Sequence, residues 1–258
     1  MSNVLLEKSG HLATITINRP EQLNCFNYDT LVQLEEKAEA IQLDKDVRAV
    51  IVTGAGEKAF SAGADLKERR TLSEKEVRRN VNKIRKVFTL IEEIPQPTIA
   101  AIKGYALGGG FELALACDFR FAAETATMGL PEVSMAIIPG AGGTQRLTNL
   151  IGPSKAKELI LTARRIDALE SQALGIVNKA VPADQLMDTA LNLANEIMKN
   201  GPLAVIQAKH AIHHGSNVDI HSGMAIESKA YEVIIPTEDR REALEAFKEK
   251  RKPNFQGK

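Results

Sequence analysis

Gly104-Tyr-Ala-Leu-Gly-Gly-Gly-Phe-Glu-Leu-Ala-Leu-Ala-Cys-Asp118 decides how the rest of the chain is read. Three consecutive glycines, Gly108 to Gly110, open a run that is apolar on every side, and one charge, Glu112, interrupts it. A lone carboxylate in a helix of this composition is costly to bury unless it is paired or at work. The glycines permit close approach to the backbone, and a first helical turn carries N–H groups with no intrahelical partner. With Gly109 in that turn, Glu112 lies three residues on, over the same face. A backbone donor and a buried carboxylate then point at one place.

On the N-terminal side, 98–103 (Thr-Ile-Ala-Ala-Ile-Lys) reads as a strand, set off from what precedes it by Pro95 and Pro97. The unit is therefore strand, turn, glycine triplet, helix. Further back, 11–18 is a β-branched, alternating strand ended by Arg19-Pro20. Asn24 to Asn27 is a turn-like patch, and Leu31, Leu34, Ala38 and Ile41 make 28–43 an amphipathic helix. A buried strand is expected at 47–53, stopped by Gly54-Ala-Gly56. Residues 60–67 are mostly small and suit a backbone that lies against a ligand. The helix at 73–93 carries Val77, Val81, Ile84, Phe88 and Ile91 on one face. Its cations Arg78, Arg79, Lys83, Arg85 and Lys86 read as a solvated face, with a phosphate-attracting rim as the rival reading.

On the C-terminal side, 119–123 is a strand. Gly129-Leu-Pro-Glu132 brings a second isolated carboxylate, and Ile138-Pro-Gly-Ala-Gly-Gly-Thr-Gln-Arg146 a second glycine-rich turn that leads into a helix. Ser154 is placed to cap a helix, and Asp167 and Glu170 have capping-box spacing for a short one that Gly175 ends. A last short strand is expected at 176–181, then helices near 184–199, 202–214, 218–235 and 238–251. The chain thus divides into a strand-rich body, residues 1–200, and a helical tail, residues 201–258. The strand-strand-helix rhythm of the first half points to a structural repeat without a strict sequence repeat.

Bulk properties narrow the function classes. An apolar fraction of 44% supports a real core, and 33 basic residues balance 33 acidic ones, so nothing in bulk charge marks a nucleic-acid or membrane partner. No apolar run reaches the roughly 18 residues of a membrane span, and the N-terminus lacks the pattern of a signal peptide. Two cysteines, Cys25 and Cys117, fit a reducing compartment, with the cytoplasm the expected location.

The turn at Gly140 to Arg146 lacks the Gly-Lys-Ser/Thr ending of a phosphate loop and the dinucleotide spacing. There is no Gly-x-Ser-x-Gly elbow. His210 and His214 are four residues apart, but no Glu follows the first, so no metal site is expected. Glu112 and Glu132 remain, each in an apolar setting beside glycine. They read either as buried ion-paired groups or as a general acid/base pair. Two close carboxylates in an apolar pocket do not both ionise easily, so one keeps a proton at neutral pH. That suits addition of the elements of water, and two backbone donors worth about 3–4 kcal/mol each would stabilise an oxyanion.

At these residues the chain resembles the enoyl-CoA hydratase (crotonase) family, from Ile17-Asn-Arg-Pro20 to the tail 247–252. The motifs that carry the resemblance are 61–67 (Ser-Ala-Gly-Ala-Asp-Leu-Lys), 106–112 (Ala-Leu-Gly-Gly-Gly-Phe-Glu), 129–132 and 138–147. It implies an α/β fold, a crotonase-like spiral of repeated ββα units with a C-terminal helical trimerisation region, in trimers or dimers of trimers. It implies an oxyanion hole from the N–H groups of Ala64 and Gly109, and Glu112 and Glu132 as catalytic acids and bases. Ala62, Ala64, Asp65, Leu66 and Lys67 would line the CoA path, Gly109, Pro131 and Gly140 the substrate site. Phe247 and Lys250 match tail positions that contact CoA. CoA belongs to the substrate, so no separate cofactor or metal is implied.

Isomerases of the family typically keep only the later acid. With both glutamates present, the resemblance implies syn-addition of water to a 2-enoyl-CoA giving a 3-hydroxyacyl-CoA. Within the family, 62–69, 114–118, 136–139 and 156–160 are similar to methylglutaconyl-CoA hydratases of leucine breakdown. Animal members of that branch bind RNA through a lysine-rich helix. Here 28–43 holds Lys37 as its only lysine, so no nucleic-acid partner is expected.

Overall fold

Val50, Ile51, Val52 and Thr98 to Ile102 are buried on both faces of their strands, as the centre of a parallel sheet requires. The structure, a computed structural model, describes residues 2–258. In chain order its strands are β1 (Val4–Ser9), β2 (Leu12–Ile17), β3 (Ala49–Gly54), β4 (Ala59–Ser61), β5 (Thr98–Ile102), β6 (Tyr105–Leu107), β7 (Phe119–Ala123), β8 (Thr127–Gly129), β9 (Ile166–Asp167) and β10 (Lys179–Val181). Its helices are α1 (Tyr28–Leu43), α2 (Leu66–Arg69), α3 (Glu74–Glu92), α4 (Gly109–Ala116), α5 (Gly143–Ile151), α6 (Pro153–Leu161), α7 (Ala168–Ala173), α8 (Leu186–Met198), α9 (Pro202–Gly215), α10 (Ile220–Ile234) and α11 (Glu238–Glu249).

Two sheets run side by side. The larger has the order β1-β2-β3-β5-β7-β10 and the smaller β4-β6-β8-β9. Both are parallel except at one edge, where β1 meets β2 and β9 meets β8 antiparallel. The chain lays one strand in the large sheet, one in the small, then a helix, and repeats: β3-β4-α3, β5-β6-α4, β7-β8-α5. This is the ββα spiral that the sequence rhythm and the resemblance imply. Alternation along the strands gives the large sheet two apolar faces. Val50, Val52, Ala100 and Ile102 face the main core with Phe88, Ile91 and Phe111. Ala49, Ile51, Ile99 and Ala101 face α8 through Leu186, Ala190 and Ala194.

Most expected elements are present within a residue or two. The six-residue β1, which pairs along β2, is not expected from the sequence. Nor are the short strands β4, β6 and β9, since three residues or fewer carry no period and such strands exist only because a neighbour pairs with them. The strand expected at 176–181 shortens to β10, because Ile176 and Val177 turn inward and the Ile176 carbonyl accepts from Arg120 Nε. Ser154 does not cap a helix. Gly152 stands at that N-cap, with Pro153 in the first turn. Asp167 does cap α7, but the Glu170 carboxylate turns to Arg164 instead of closing a capping box.

Candidate active site

Both ends of α4 are fixed by the fold. Gly108 (φ +52, ψ −125) makes the turn from β6, and its N–H donates to Gly129 O across to β8. A side chain on Gly110 would run into the Ser61 carbonyl, so β4 and α4 meet backbone to backbone. At the other end the buried Arg120 guanidinium donates to the carbonyls of Cys117 (2.5 Å) and Ala114 (3.5 Å). A cation there opposes the negative end of the helix dipole. The helix therefore aims its open N–H groups at a fixed point.

The patch at Asn24 to Asn27 brings the second donor there. Asn24 is fully buried, and its side chain donates to Ala55 O and Ala59 O while accepting from Arg19 N–H. Phe26 N–H donates to Gly63 O, and Asp65 N–H to Phe26 O, so Ala64 is held from both sides and its own N–H is left free. Gly109 is the first residue of α4, so its N–H has no intrahelical acceptor. A Cβ on Gly109 would lie 3.8 Å from Ala64 N, so the two donors are neighbours.

Glu112 is only 2% exposed. Its Oε1 accepts from Ala141 N–H and Gly143 N–H, each at 2.8 Å, across the second glycine-rich turn. Burial pushes its carboxyl above the ordinary range, while these two N–H groups and the Arg146 and Arg85 cations oppose that. Glu132 sits in the 3-10 turn Pro131–Met135, with its Oε1 against Gly108. Its Oε2 is buried and has no hydrogen-bond partner. Burial first, and the nearby Glu112 charge, push its carboxyl up to about 7. The plainer alternative of two ion-paired carboxylates does not hold: neither forms a salt bridge among the described residues.

These groups open on one cavity of about 700 Å³. Ala62, Ala64, Asp65, Leu66, Gly109, Glu112, Pro131, Glu132 and Gly140 all line it. Lys67 does not, and the Asp65 carboxylate is engaged in capping α2 and pairing with Arg19 at 2.9 Å. Phe247 and Lys250 lie on and just past α11, outside the cavity lining, and Phe247 is 86% exposed.

The fold recurs in known proteins. The profile of the enoyl-CoA hydratase/isomerase family matches residues 7–258. The chain belongs to that family. It is 50% identical to the enoyl-CoA hydratase from Bacillus anthracis in its crystal structure, with a TM-score of 0.97 over 99% of this chain and 100% of that one. It is 52% identical over 250 residues to YngF of Bacillus subtilis strain 168, covering 97% of this chain and 96% of the relative. To the human mitochondrial methylglutaconyl-CoA hydratase it is 47% identical over 257 residues, covering 98% of this chain and 76% of the relative.

Several parts of this enzyme's site escape sequence reading. The apolar face of the 73–93 helix is one periodic stripe in sequence, yet of its five residues only Phe88 and Ile91 are buried, with Val87 beside them. Val77, Val81 and Ile84 line the cavity together with Met135 and Ile138, Ile84 also packing against the core. Of the cations on α3, Arg78 pairs with Glu74, Arg79 lies 4.0 Å over the Tyr28 ring, and Lys83 and Lys86 grip Glu35. Only Arg85 lines the cavity, and its Nε donates to Gly140 O. No His/Cys/Asp/Glu group suited to a metal exists among the described residues, and no helix of the structure is long and apolar enough to cross a membrane.

Proposed function

We propose that the protein is an enoyl-CoA hydratase, which adds water across the double bond of a 2-enoyl-CoA to give the 3-hydroxyacyl-CoA. The observation that carries this reading is the unequal surroundings of Glu112 and Glu132 on one cavity. Glu112 has two N–H donors on one oxygen, which favours its carboxylate form. Glu132 has a buried oxygen without a partner, which favours its acid form. One group is thus poised to take a proton and the other to give one.

The thioester oxygen accepts from the Ala64 and Gly109 N–H groups. Glu112 removes a proton from water as its oxygen attacks C3. Electron density moves through C2 to the thioester oxygen, where the two N–H groups stabilise the charge. Glu132 delivers its proton to C2, and proton exchange restores both carboxyl groups. Residues 62–66 would line the path of the CoA arm, and Phe247 and Lys250 would meet CoA from a neighbouring subunit.

The exposed apolar side chains of the tail, among them Ile212, Ile220, Met224, Tyr231 and Leu244, support a homotrimer or a dimer of trimers. In this reading residues 201–258 form the assembly region and residues 1–200 the catalytic body. The substrate brings its own CoA, no nucleic acid takes part, and the cytoplasm is the site of action.

Arg69 and Arg165 favour a second reading. Both line the cavity, and neither pairs with a carboxylate among the described residues. That suits an acyl group that itself ends in a carboxylate, such as 3-methylglutaconyl. The test follows loss of the enoyl-thioester absorbance with crotonyl-CoA and with 3-methylglutaconyl-CoA. Replacement of either glutamate by Gln should cut turnover by about two orders of magnitude or more in a folded protein. Wild-type rates in both single variants would refute the mechanism, and release of free CoA would replace it with thioester hydrolysis.

A further inference from the structure

Arg146 lies outside the cavity lining, yet it touches the turn that holds Glu112. It projects from α5, with 13% of its side chain exposed. Its Nε and Nη2 donate to the two oxygens of Glu92 at 2.9 and 2.6 Å, a bidentate grip on the end of α3. Its Nη1 donates to Ala141 O at 2.7 Å. The three peptide groups of this turn alternate. The first and third point N–H groups, those of Ala141 and Gly143, at Glu112 Oε1. The middle one points its carbonyl the other way, at Arg146. Gly142, at φ +99, makes the alternation possible, and a Cβ there would occupy the place of the Arg146 guanidinium. Successive N–H groups arranged around a left-handed residue form an anion-binding nest, and here the anion is a side chain of the same protein.

We propose that Arg146 is a positioning residue: clamped by Glu92, it holds the Ala141 carbonyl and so keeps two N–H groups aimed at the Glu112 carboxylate. A cavity wall thus sets the protonation of the base from outside. The charged groups around Glu112 are few. Arg146 stands on α5 and Arg85 on α3, both opposing its protonation, while Glu132 faces it from the 3-10 turn and Arg69 of α2 faces Glu132. Glu92 neutralises part of the Arg146 charge from behind. Loss of Arg146 removes a cation and frees the middle peptide to rotate, and both changes make the Glu112 carboxyl hold its proton to higher pH.

The effect is read on the full-length protein in two ways. One is the pH dependence of kcat/KM for crotonyl-CoA hydration, which rests on the hydratase reading. The other is the pH-difference infrared carboxyl band that Glu112→Gln abolishes, which does not. In Arg146→Met the acid limb and the infrared transition should both rise by about one pH unit or more. Arg146→Lys, which keeps the charge but not the planar fork, should lie between the two. A folded Arg146→Met with both transitions at their wild-type positions overturns the proposal. If that variant does not fold, Arg146→Lys decides: unshifted transitions in it overturn the proposal equally. If the wild type hydrates nothing, the reaction assignment fails, while the infrared transition still decides the role of Arg146.

Discussion

Glu132→Gln should remove activity and at the same time stabilise the protein at alkaline pH. The Glu132 carboxyl is pushed from 4.5 up to about 7 by burial and by the Glu112 charge. Between those two values the folded state binds more protons than the unfolded state, so this group makes stability fall as pH rises from 4.5 to about 7. Below that window Glu132 is neutral in both states and costs nothing. Above it the folded protein carries a carboxylate with a buried, unpartnered oxygen. At full burial a displacement of this size would be worth about 3.4 kcal/mol. Because Glu132 is only half-buried, water screens part of it, and about 2 kcal/mol is expected. Gln is an uncharged isostere, so it escapes this cost.

Any packing penalty of the amide is common to both conditions and cancels in the difference. Urea unfolding of wild type and variant at about pH 5 and about pH 8.5, at fixed protein concentration, gives that difference as a double comparison. The variant should gain about 2 kcal/mol relative to wild type on going from the acid to the alkaline condition. Equal differences at both pH values, or a relative gain at acid pH, would show that Glu132 is not held as a neutral acid. The assignment of proton donor would fall with it.

Other expectations follow from the same geometry. With Glu132 acting as the acid, kcat/KM for hydration should fall as pH rises through about 7, and a plateau extending well above that value would refute the role. Gly143→Ala places a Cβ 2.9 Å from Glu112 Oε1, so it should lower turnover far more than it lowers thermal stability, as steady-state kinetics and calorimetry would show. Gly110→Ala drives a side chain into the Ser61 backbone and should cost about 3 kcal/mol or more, seen as loss of soluble folded protein. Lys209 joins α9 to the body through Asp118 (2.6 Å) and Gln96 O (3.1 Å). Lys209→Met should lower stability by about 1–3 kcal/mol in chemical denaturation with little change in kcat.

Much of the site is local and therefore legible in the chain. Strand 98–103, the glycine triplet and Glu112 form one short unit whose composition dictates a tight turn, an open helix start and a buried carboxylate, and α4 is built that way. The family motifs reach the same residues because the close backbone approach at Gly110 and the left-handed turn at Gly142 admit glycine and little else. Of the basic face of α3, Arg78, Arg79 and Lys86 are exposed as the sequence reads them, whereas Lys83 is drawn into a half-buried pair with Glu35 and Arg85 also lines the cavity.

Tertiary structure alone decided the rest. Val77, Val81 and Ile84 share a helical face with Phe88 and Ile91, and periodicity cannot tell a core from a cavity wall, since both are apolar. Strands β4 and β6 are each three residues long and owe their existence to each other across the spiral. The two glutamates are twenty residues apart in sequence, and their composition is alike. In the proposed mechanism, what separates acid from base is that Glu112 receives two N–H groups from 141–143 while one Glu132 oxygen receives none. Protonation depends on which donors the fold brings within about 3 Å, and that is a property of packing between distant segments.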